Sequence, residues 1–312
     1  MIVHKGYEVF SLVKPVVTLG IFDGVHKGHI ALINSLKKRA VETGGESVVV
    51  TFSPHPRHVL EPRNRELSLL TTIDEKINLL ETTGVDHLII LDFNKDLSEM
   101  EACDFVSEIL MKKIGARQLI MGYDHHFGKR GEGDINRIRQ CQVTSGLIIE
   151  QADGIIYDGK PISSSVIRSE LLNGRIEEGN NLLGYRYFLS GNVVEGRKIG
   201  RSFGFPTANI KPCDDDKLVP ANGVYAVKVL IEGMLYNGML SIGTNPTVNN
   251  DRNMRSIEVY IIDFDREIYG KTIEIIFYAR LRDEKKFPGL NELARQMEID
   301  KQQSTDILNS NN

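Results

Sequence analysis

An alternation of short apolar runs and helix-like segments over the first 150 residues most strongly limits the possible folds. A buried strand is predicted at "PVVTLG", followed by a helix over His29–Thr43 with Ile33 and Leu36 on its apolar face. Further strands are predicted at "ESVVVTF", "HLIILDF", "RQLIMG" and "GLIIEQ", with helical segments between several of them. Strands and helices that alternate in this way form a parallel sheet covered by helices. The first half is therefore predicted to be a doubly wound α/β domain.

Two further helices are predicted to begin at Ser/Thr-x-x-Glu sequences. Thr72 is followed three residues later by Glu75, and Ser98 by Glu101, each before an apolar-periodic segment. In such a capping box the two side chains satisfy backbone N–H groups at the start of a helix. Polar clusters follow the predicted strands at "GIFDGVHKGH", "SPHPRH" and "GYDHHFGKRG". Ligands bind at the carboxyl ends of the strands in parallel sheets, so these clusters are the candidate site.

The pattern changes after about residue 184, where strand-like runs separated by turn residues replace the alternation. One late helix is predicted, from about residue 289 to residue 301. This half is predicted to be an antiparallel barrel or sandwich with a terminal helix. We therefore expect two domains, 1–183 and 184–312. The strand-like runs are "YFLSGNVV", "GVYAVKVLIEG", "MLYNGMLSIG", "SIEVYIIDF" and "KTIEIIFYARL".

Composition and charge argue against several classes of protein. The 312-residue chain has a formal net charge of −4, so no nucleic-acid partner is expected, and any charge that binds phosphate must be local. The apolar runs are short, so we expect neither a signal peptide nor a membrane span. Cys103, Cys141 and Cys213 form no C-x-x-C pair. We therefore expect no disulfide framework, no zinc site and a cytoplasmic protein.

The loop "TLGIFDGVHKGHI" follows the first buried strand and carries His26 and His29 at the mouth of the predicted helix. The free N–H groups and the dipole of a helix start favour anions, and Gly20, Gly24 and Gly28 would let backbone approach a ligand closely. Imidazolium donors would stabilise charge that develops on a phosphorus under attack. Spacing alone leaves two other interpretations open: a metal site without a nearby third ligand, or a pair of ordinary polar side chains.

A second candidate site lies in "GRKIGRSFGFPTANI", Gly196–Ile210. A basic, glycine-rich segment suits a loop that closes over phosphates, although a solvated hairpin would look similar. Thr207 and Asn209 alternate along an extended run, so both face one way and offer the hard oxygen ligands that Mg²⁺ prefers. Glu258 and Tyr260 share one face of a later strand, where Glu258 is either a site residue or simply exposed.

The first loop resembles the G-x-F-D-G-x-H-x-G-H signature of the nucleotidyltransferase superfamily, whose two histidines contact the phosphates of ATP. The stretch "ISSSVIR", Ile162–Arg168, resembles a second element of that superfamily, a serine-rich stretch that ends in arginine. The resemblance implies a Rossmann-like nucleotidyltransferase domain in which His26, His29 and Arg168 are catalytic. It implies that ATP or its phosphates are bound by Gly20, Phe22, Asp23, Gly24, Gly28, Ser163, Ser164 and Ser165.

Two other segments, "VVTFSPHPRHVL" and "MGYDHHFGKRGEGD", resemble elements of bacterial FAD synthetases, which are bifunctional riboflavin kinase and FMN adenylyltransferase proteins. His125 departs from that pattern, since an aromatic residue is more usual there, and Ser165 stands where threonine is usual. For Asp124 an ordinary Asx-turn is the alternative. The resemblance implies a flavin site formed by Asp124, Phe127, Gly128 and Arg130.

The segment "GRKIGRSFGFPTANI" resembles the riboflavin kinase signature G-R-x-L-G-F-P-T-A-N. This resemblance implies an antiparallel riboflavin-kinase barrel with a terminal helix, in which Thr207 and Asn209 coordinate ATP-bound Mg²⁺. Glu258 matches the glutamate that acts as base on the ribityl 5′-hydroxyl, and Asn245 stands where many relatives carry arginine. The implied ATP- and phosphate-binding residues are Gly196, Arg197, Lys198, Gly200, Arg201, Gly204 and Pro206.

The combined resemblance implies that the chain phosphorylates riboflavin to FMN with ATP and then transfers an adenylyl group from ATP to FMN, giving FAD and pyrophosphate. Its partners would be these small molecules, and the protein would be a monomer or a transient oligomer. Three alternatives stay open: a riboflavin kinase with an inactive N-terminal domain, a nucleotidyltransferase with another phosphate acceptor, and a non-catalytic flavin- or nucleotide-binding regulator. The two intact signatures favour the bifunctional enzyme.

Overall fold

The computed structural model divides the chain into two units, Met1–Ser164 and Ser165–Asn312. The predicted domain boundary between residues 183 and 184 stays a prediction. The residues that the structure describes are 1–6, 11–61, 67–123, 125–141, 146–157, 159–196, 204–244 and 255–310.

Six strands of the first unit form a parallel sheet in the order β1-β4-β3-β2-β5-β6, in which every neighbouring pair is parallel. The predicted α/β class is confirmed. Sequence analysis missed the edge strand β1, in which Ile2 is 59% exposed and Val3 is 37% exposed. The strands are β1 (Ile2–Lys5), β2 (Val16–Leu19), β3 (Ser47–Ser53), β4 (His87–Asp92), β5 (Gln118–Met121) and β6 (Ile148–Gln151).

Strand order reverses at β2, because β3 lies on one side of it and β5 on the other. In open α/β sheets the crevice at such a reversal binds ligands, and it is bordered by loops that leave the carboxyl ends of the two strands. The loops after β2 and β5 contain "GIFDGVHKGH" and "GYDHHFGKRG". The fold therefore places two of the three predicted polar clusters beside this crevice.

Both faces of the sheet are buried, since residues that alternate along each strand belong to two separate apolar clusters. Val17 and Leu19 of β2 belong to one cluster, and Val16 belongs to the other. Helices cover both faces, as expected for a parallel sheet. They are α1 (Lys27–Thr43), α2 (Pro56–Leu60), α3 (Ile73–Glu81), α4 (Lys95–Ser98), α5 (Ala102–Asp104), a π-helix (Phe105–Lys113), a 3₁₀ turn (Lys129–Gly131) and α6 (Ile135–Gln140), followed by a hairpin, β7 (Ile156–Tyr157) and β8 (Lys160–Pro161).

One predicted capping box is confirmed and the other is wrong. The Thr72 N–H donates to the Glu75 carboxylate at 2.9 Å, and the Glu75 N–H donates to the Thr72 hydroxyl at 3.2 Å. Ser98 instead ends α4, because Asn94 caps that short helix and the Ser98 hydroxyl donates back to the Lys95 carbonyl at 2.7 Å. The next helix begins only at α5, whose N-cap residue makes no side-chain cap.

Six strands of the second unit close into an antiparallel barrel in the order β10-β13-β12-β11-β14-β9. The structure thus decides between the predicted barrel and sandwich in favour of the barrel. The strands are β9 (Phe188–Val194), β10 (Thr207–Pro212), β11 (Gly223–Ile231), β12 (Met234–Thr244), β13 (Arg255–Ile261) and β14 (Thr272–Arg282), and the helices of this unit are α7 (Ser164–Leu172), α8 (Ile176–Leu183) and α9 (Leu290–Ser310).

The terminal helix α9 is longer than predicted, and a buried charge pair fixes it to the barrel. Arg282 of β14 donates to both carboxylate oxygens of Asp300, with nitrogen–oxygen distances of 2.7 to 3.1 Å, and Asp300 is buried. Gln296 also donates to this carboxylate, at 2.9 Å. A bidentate pair of this kind sets the position of the helix along the strand.

The structure also corrects the expectation about cysteines. Cys103 in α5 and Cys141, directly after α6, form a disulfide whose Cα atoms are 5.8 Å apart. The two residues are 38 positions apart in sequence, and the prediction of no disulfide failed because only the folded chain brings α5 and α6 together. Cys213 is exposed and is not part of this bond.

None of the helices in the described ranges is both long enough and apolar enough to cross a membrane.

Candidate functional site

The loop between β2 and α1 has an unusual backbone. Phe22, Gly24 and Val25 have φ angles of +50°, +80° and +35°, although two of these residues carry bulky side chains. The rings and branches of Phe22 and Val25 are buried, with 1% and 2% of their surface exposed, so packing offsets the backbone strain. Strained backbone held by its surroundings is common at functional sites.

Hydrogen bonds to Asp23 hold this loop against the segment that precedes α3. Its buried carboxylate accepts hydrogen bonds from the N–H groups of Leu70 and Thr71 at 3.1 and 3.0 Å, and from the Thr71 hydroxyl at 3.3 Å. The Gly24 N–H donates to the same hydroxyl at 3.0 Å. A carboxylate would repel phosphate, so this geometry gives Asp23 a positioning role, and its predicted part in ATP binding stays a prediction.

His26 and His29 lie together at the start of α1. Their rings stack with centroids 3.6 Å apart, and the His26 Nδ1 accepts from the His29 N–H at 3.4 Å as the N-cap of the helix. An accepting Nδ1 carries no proton, so a neutral His26 ring carries its proton on Nε2. The helix has 17 residues and no acidic residue in its first turn, so its positive end is not neutralised locally.

The environment of His29 keeps the ring neutral. Burial lowers the pKa of His29 well below its ordinary value, and the neighbouring charges of His26, Lys76 and His125 lower it further. The His29 Nδ1 is buried and has no hydrogen-bond partner among the described residues. A buried polar atom without a partner is costly, which makes this nitrogen a candidate ligand contact.

The serine-rich stretch lies directly beside this loop. The Ser164 hydroxyl donates to the Asp23 carbonyl at 2.9 Å. A Cβ added at Gly28 would lie 3.5 Å from the Ile162 carbonyl, so the chain before α7 also passes close to the start of α1. Two sequence segments that are about 135 residues apart are thus adjacent in the folded first unit. Ser163 and Ser165 flank Ser164, and Arg168 lies four residues further along α7.

The loop after β5 gives two of the predicted flavin residues a packing role. Phe127 is buried, with its ring centroid 5.6 Å from that of Phe105. Gly128 has a φ of +77°, and a Cβ there would lie 2.7 Å from the backbone nitrogen of Ala102, so only glycine fits. Arg130 is exposed, with a φ of +55°. Flavin binding by this loop stays a prediction.

One residue at this site was missed by sequence reasoning. Lys76 of α3 is 6% exposed, and its charge acts on both Asp23 and His29. The sequence offered one signal for Lys76. It directly follows Glu75 of the capping box and therefore lies in the first turns of a helix. Nothing in the sequence showed that this turn packs against the loop after β2.

The second candidate site is on the barrel. Thr207 and Asn209 of β10 pair with Tyr260 and Glu258 of β13, and the Thr207 hydroxyl donates to the Glu258 carboxylate at 3.1 Å. Directly paired residues point to the same face, so hydroxyl, amide and carboxylate groups converge there. Val259 faces the other way and is fully buried. The predicted alternation is therefore confirmed, and Glu258 is not an isolated exposed side chain.

Gly196 lies so close to this group that a Cβ there would overlap the side-chain amide of Asn209. Gly204 has a φ of +84°, and the adjacent Phe205 packs edge-on against Tyr260 with centroids 5.1 Å apart. Pro206 leads into β10. Six residues singled out from the sequence lie outside the described ranges: Asp124, Arg197, Lys198, Gly200, Arg201 and Asn245.

The donor set on the barrel fits Mg²⁺, since hydroxyl, amide and carboxylate oxygens are the ligands that this ion prefers. The His pair has no comparable metal set. Across the described stretches, no group of three or more His, Cys, Asp or Glu side chains could hold a metal ion.

Comparisons with known proteins agree with the division into two sites. A family model described as FAD synthetase matches residues 11–166, and a model described as riboflavin kinase matches residues 183–308. The bifunctional riboflavin kinase/FMN adenylyltransferase of Bacillus subtilis (strain 168) is 39% identical over 292 residues, which cover 93% of this chain and 92% of that protein. The protein of the same description from Listeria monocytogenes is 39% identical over 290 residues, 93% of this chain and 91% of its own.

Among solved structures, a crystal structure described as a macrolide-efflux protein from Streptococcus pneumoniae superimposes with a TM-score of 0.89. It is 31% identical in sequence, and the match covers 98% of this chain and 99% of that one. The fold and the two sites define a two-domain transferase that works on nucleotides. More particularly, the chain belongs to the bifunctional riboflavin kinase/FMN adenylyltransferase family, which confirms the resemblance found in the sequence.

Proposed function

We propose that the chain makes FMN from riboflavin and ATP on its barrel, and makes FAD and pyrophosphate from FMN and a second ATP in its first unit. The prediction of two activities is confirmed by the family assignment, whose two models match successive parts of the chain. The observation that carries the proposal is that each matched part contains a convergent polar site. These are the His26–His29 stack beside Ser164 and the Thr207–Glu258 pair beside Asn209.

On the barrel, Glu258 would accept the proton of the ribityl 5′-hydroxyl while its oxygen attacks the γ-phosphorus of ATP and ADP leaves. The hydrogen bond from Thr207 fixes the orientation of the Glu258 carboxylate before substrate binds. Thr207 and Asn209 would hold Mg²⁺, which neutralises phosphate charge when it is bound. Phosphoryl transfer needs mainly alignment and charge neutralisation, and this set of side chains suits both needs.

In the first unit, a phosphate oxygen of FMN would attack the α-phosphorus of ATP and pyrophosphate would leave. The phosphate is largely ionised at neutral pH, so no strong general base is needed. The start of α1, His26, His29 and Ser164 would align the phosphates and stabilise the developing charge. The catalytic role of Arg168 stays a prediction from the family resemblance. The unpartnered Nδ1 of His29 supports a ligand at this place.

The location, oligomeric state and excluded partners of the protein stay proposals. Riboflavin, FMN and ATP follow from the family as small-molecule substrates. The absence of nucleic-acid and membrane partners rests on sequence composition, and the monomeric or transiently oligomeric state rests on the family resemblance. The cytoplasmic location rests on the cysteine pattern, and the disulfide between Cys103 and Cys141 does not support it.

The test is a product assay with purified protein, riboflavin, Mg²⁺ and ATP, in which FMN should form first and FAD afterwards. His29→Ala should lower FAD formation without changing riboflavin phosphorylation, and Glu258→Gln should do the reverse when FMN is supplied. A kinase with an inactive first domain would stop at FMN, and a non-catalytic regulator would turn over no ATP. Equal loss of both activities in each variant would contradict the assignment of one reaction to each unit.

A further inference from the structure

Lys76 is a buried cation that the mechanism has not used. It lies on α3, near the capping box of Thr72 and Glu75, with 6% of its surface exposed. Burial of an ammonium group is expensive unless it is paired or hydrogen-bonded. Burial accordingly lowers the pKa of Lys76, while the charge of Asp23 opposes that shift.

Lys76 makes no hydrogen bond and no ion pair within 4.0 Å with any residue in the described ranges. Asp23 is the acidic residue whose charge acts on Lys76, but its carboxylate already accepts three hydrogen bonds from Leu70 and Thr71. A lysine that served only to neutralise Asp23 would be expected to pair with it directly. The structure thus contains a lysine that is 6% exposed and whose ammonium group makes no hydrogen bond or ion pair with a described residue.

The charge of Lys76 acts on the loop after β2. It lowers the pKa of His29, and the charge of Asp23 opposes the lowering of the Lys76 pKa by burial. The geometry agrees, because Asp23 accepts hydrogen bonds from Leu70 and Thr71, which directly precede the N-cap of α3. The positive end of α1 and the unpartnered Nδ1 of His29 lie at the same place. Three independent features therefore point to an anion here: a helix start, an orphan imidazole nitrogen and an unpaired ammonium.

We propose that Lys76 contacts the phosphates of the nucleotide that binds at the start of α1, and that its positive charge stabilises the negative charge that develops on the departing pyrophosphate. The compact charge of lysine suits a phosphate group, which it contacts as a point charge. This inference rests on the proposed function, because it assumes that the first unit adenylylates FMN.

The test compares three full-length variants in FAD formation from supplied FMN and ATP. Lys76→Met keeps the length of the side chain and removes its charge, and Lys76→Arg keeps the charge. Lys38→Met is the matched control, because Lys38 lies on α1 with 79% of its side chain exposed. Lys76→Met should lower kcat/KM for ATP about 10- to 100-fold and weaken inhibition by magnesium pyrophosphate in parallel. Lys76→Arg should recover part of this loss, and Lys38→Met should match the unaltered protein.

Riboflavin phosphorylation by the same preparations, a reaction of the second unit, should be unchanged in all three, and thermal unfolding followed by circular dichroism shows whether the first unit of each variant is folded. A folded Lys76→Met protein with normal kcat/KM for ATP and normal pyrophosphate inhibition would overturn the proposal. A merely structural lysine would lower the thermal midpoint and leave both of these quantities unchanged. Unaltered protein that forms no FAD would instead overturn the proposed function.

A second measurement applies if Lys76→Met does not fold. Lysine side chains of the unaltered protein can be labelled with ¹³C at Cε and observed by NMR during titration with magnesium pyrophosphate. The Lys76 signal, assigned by its loss in Lys76→Arg, should move in a saturable way. A Lys76 signal that stays in place while pyrophosphate inhibits FAD formation would overturn the proposal.

Discussion

At the scale of single residues, burial determines the protonation state of His29 and links it to stability. The pKa of His29 is held well below its ordinary value of about 6.5, so the folded ring stays neutral at pH values where the unfolded ring becomes protonated. Below about pH 6.5 the unfolded chain therefore binds more protons than the folded chain at this residue. The contribution of His29 to the stability of the folded state therefore falls as pH falls through this range, and His29 contributes no pH dependence above it.

Replacement of His29 by glutamine should remove this dependence. Between pH 7.5 and pH 5.5 the unaltered protein should lose about 1 kcal/mol more unfolding free energy than His29→Gln. Urea unfolding at the two pH values measures the difference. His126→Gln is the control, because His126 is exposed and its loss also removes one histidine. An identical pH response in unaltered protein and His29→Gln would contradict the neutral, buried state of the ring.

A second prediction at this scale concerns Thr207, whose hydroxyl donates to Glu258 and is also a proposed Mg²⁺ ligand. Thr207→Val removes the hydroxyl and nearly conserves the shape, whereas Thr207→Ser retains the hydroxyl. Riboflavin phosphorylation should fall about 10- to 100-fold in Thr207→Val and much less in Thr207→Ser.

The measurement is phosphorylation rate over a range of Mg²⁺ concentrations, with FAD formation from supplied FMN as the internal control. That control activity should be unchanged in both variants. Thr207→Val with the unaltered rate at every Mg²⁺ concentration would show that the hydroxyl neither positions Glu258 nor binds the ion.

The sequence identified the chemistry of these residues but not all of their partners. His26, His29 and Glu258 stood out because their residue types, spacing and strand alternation suit phosphate chemistry. Lys76 did not, because its importance depends on burial beside Asp23 and His29, more than 40 residues earlier in the chain. Phe127 and Gly128 were predicted to bind flavin, while the structure shows a packing reason for each that the sequence could not reveal.

At the scale of elements, the core strands were predictable and the edges were not. Runs such as "SVVV" are apolar on both faces, as strands buried between helices must be. β1 carries only four residues at the edge of the sheet and exposes much of Ile2, so its apolar signal is weak. The helix start predicted at Ser98 is wrong, because a short helix capped by Asn94 ends there instead.

The disulfide between Cys103 and Cys141 acts at this scale, because it joins α5 to the end of α6 on either side of the loop that contains Phe127. Its closed loop of 38 residues should stabilise the oxidised protein by about 2 to 4 kcal/mol through the lower entropy of the unfolded chain. Urea unfolding with and without dithiothreitol measures this contribution.

A double Cys103→Ser/Cys141→Ser variant should match the reduced protein and should no longer respond to dithiothreitol. Cys213→Ser is the matched control, since Cys213 is exposed and lies outside the disulfide, and it should respond as the unaltered protein does. An unaltered protein that unfolds at the same urea concentration in both conditions would show that the bond does not form in solution.

At the scale of the whole molecule, the two fold classes followed from the change of pattern near residue 184, and the boundary between residues 183 and 184 stays a prediction. The sequence of α7 and α8 has helix and turn signals but does not show which elements these helices contact. In the structure, α8 is fixed to the barrel, because the Asn180 amide donates to the Phe277 carbonyl at 3.0 Å and accepts from the Tyr187 N–H at 2.6 Å. The Ala221 N–H likewise donates to the Leu171 carbonyl of α7 at 3.1 Å. Such contacts between distant residues cannot be inferred from helix and turn signals alone.

The separation into two units predicts that the two activities can be supplied by different molecules. The two candidate sites are built on separate frameworks, the β2–α1 loop of the parallel sheet and the β10–β13 face of the barrel. FMN is a soluble intermediate that carries its own phosphate, so it can leave one protein molecule and bind another. Full-length Glu258→Gln, which should form FAD from FMN, and full-length His29→Ala, which should form FMN, should therefore complement each other in a mixture.

In an assay with riboflavin, Mg²⁺ and ATP, each variant alone should form little FAD, and their mixture should form FAD after a lag in which FMN accumulates. The lag should shorten as the concentration of His29→Ala rises, because FMN is then supplied faster, while the final rate should follow the concentration of Glu258→Gln. Chromatographic separation of riboflavin, FMN and FAD over time measures both quantities. A mixture that accumulates FMN but forms no FAD, although Glu258→Gln uses added FMN, would show that the enzyme does not accept FMN released by another molecule.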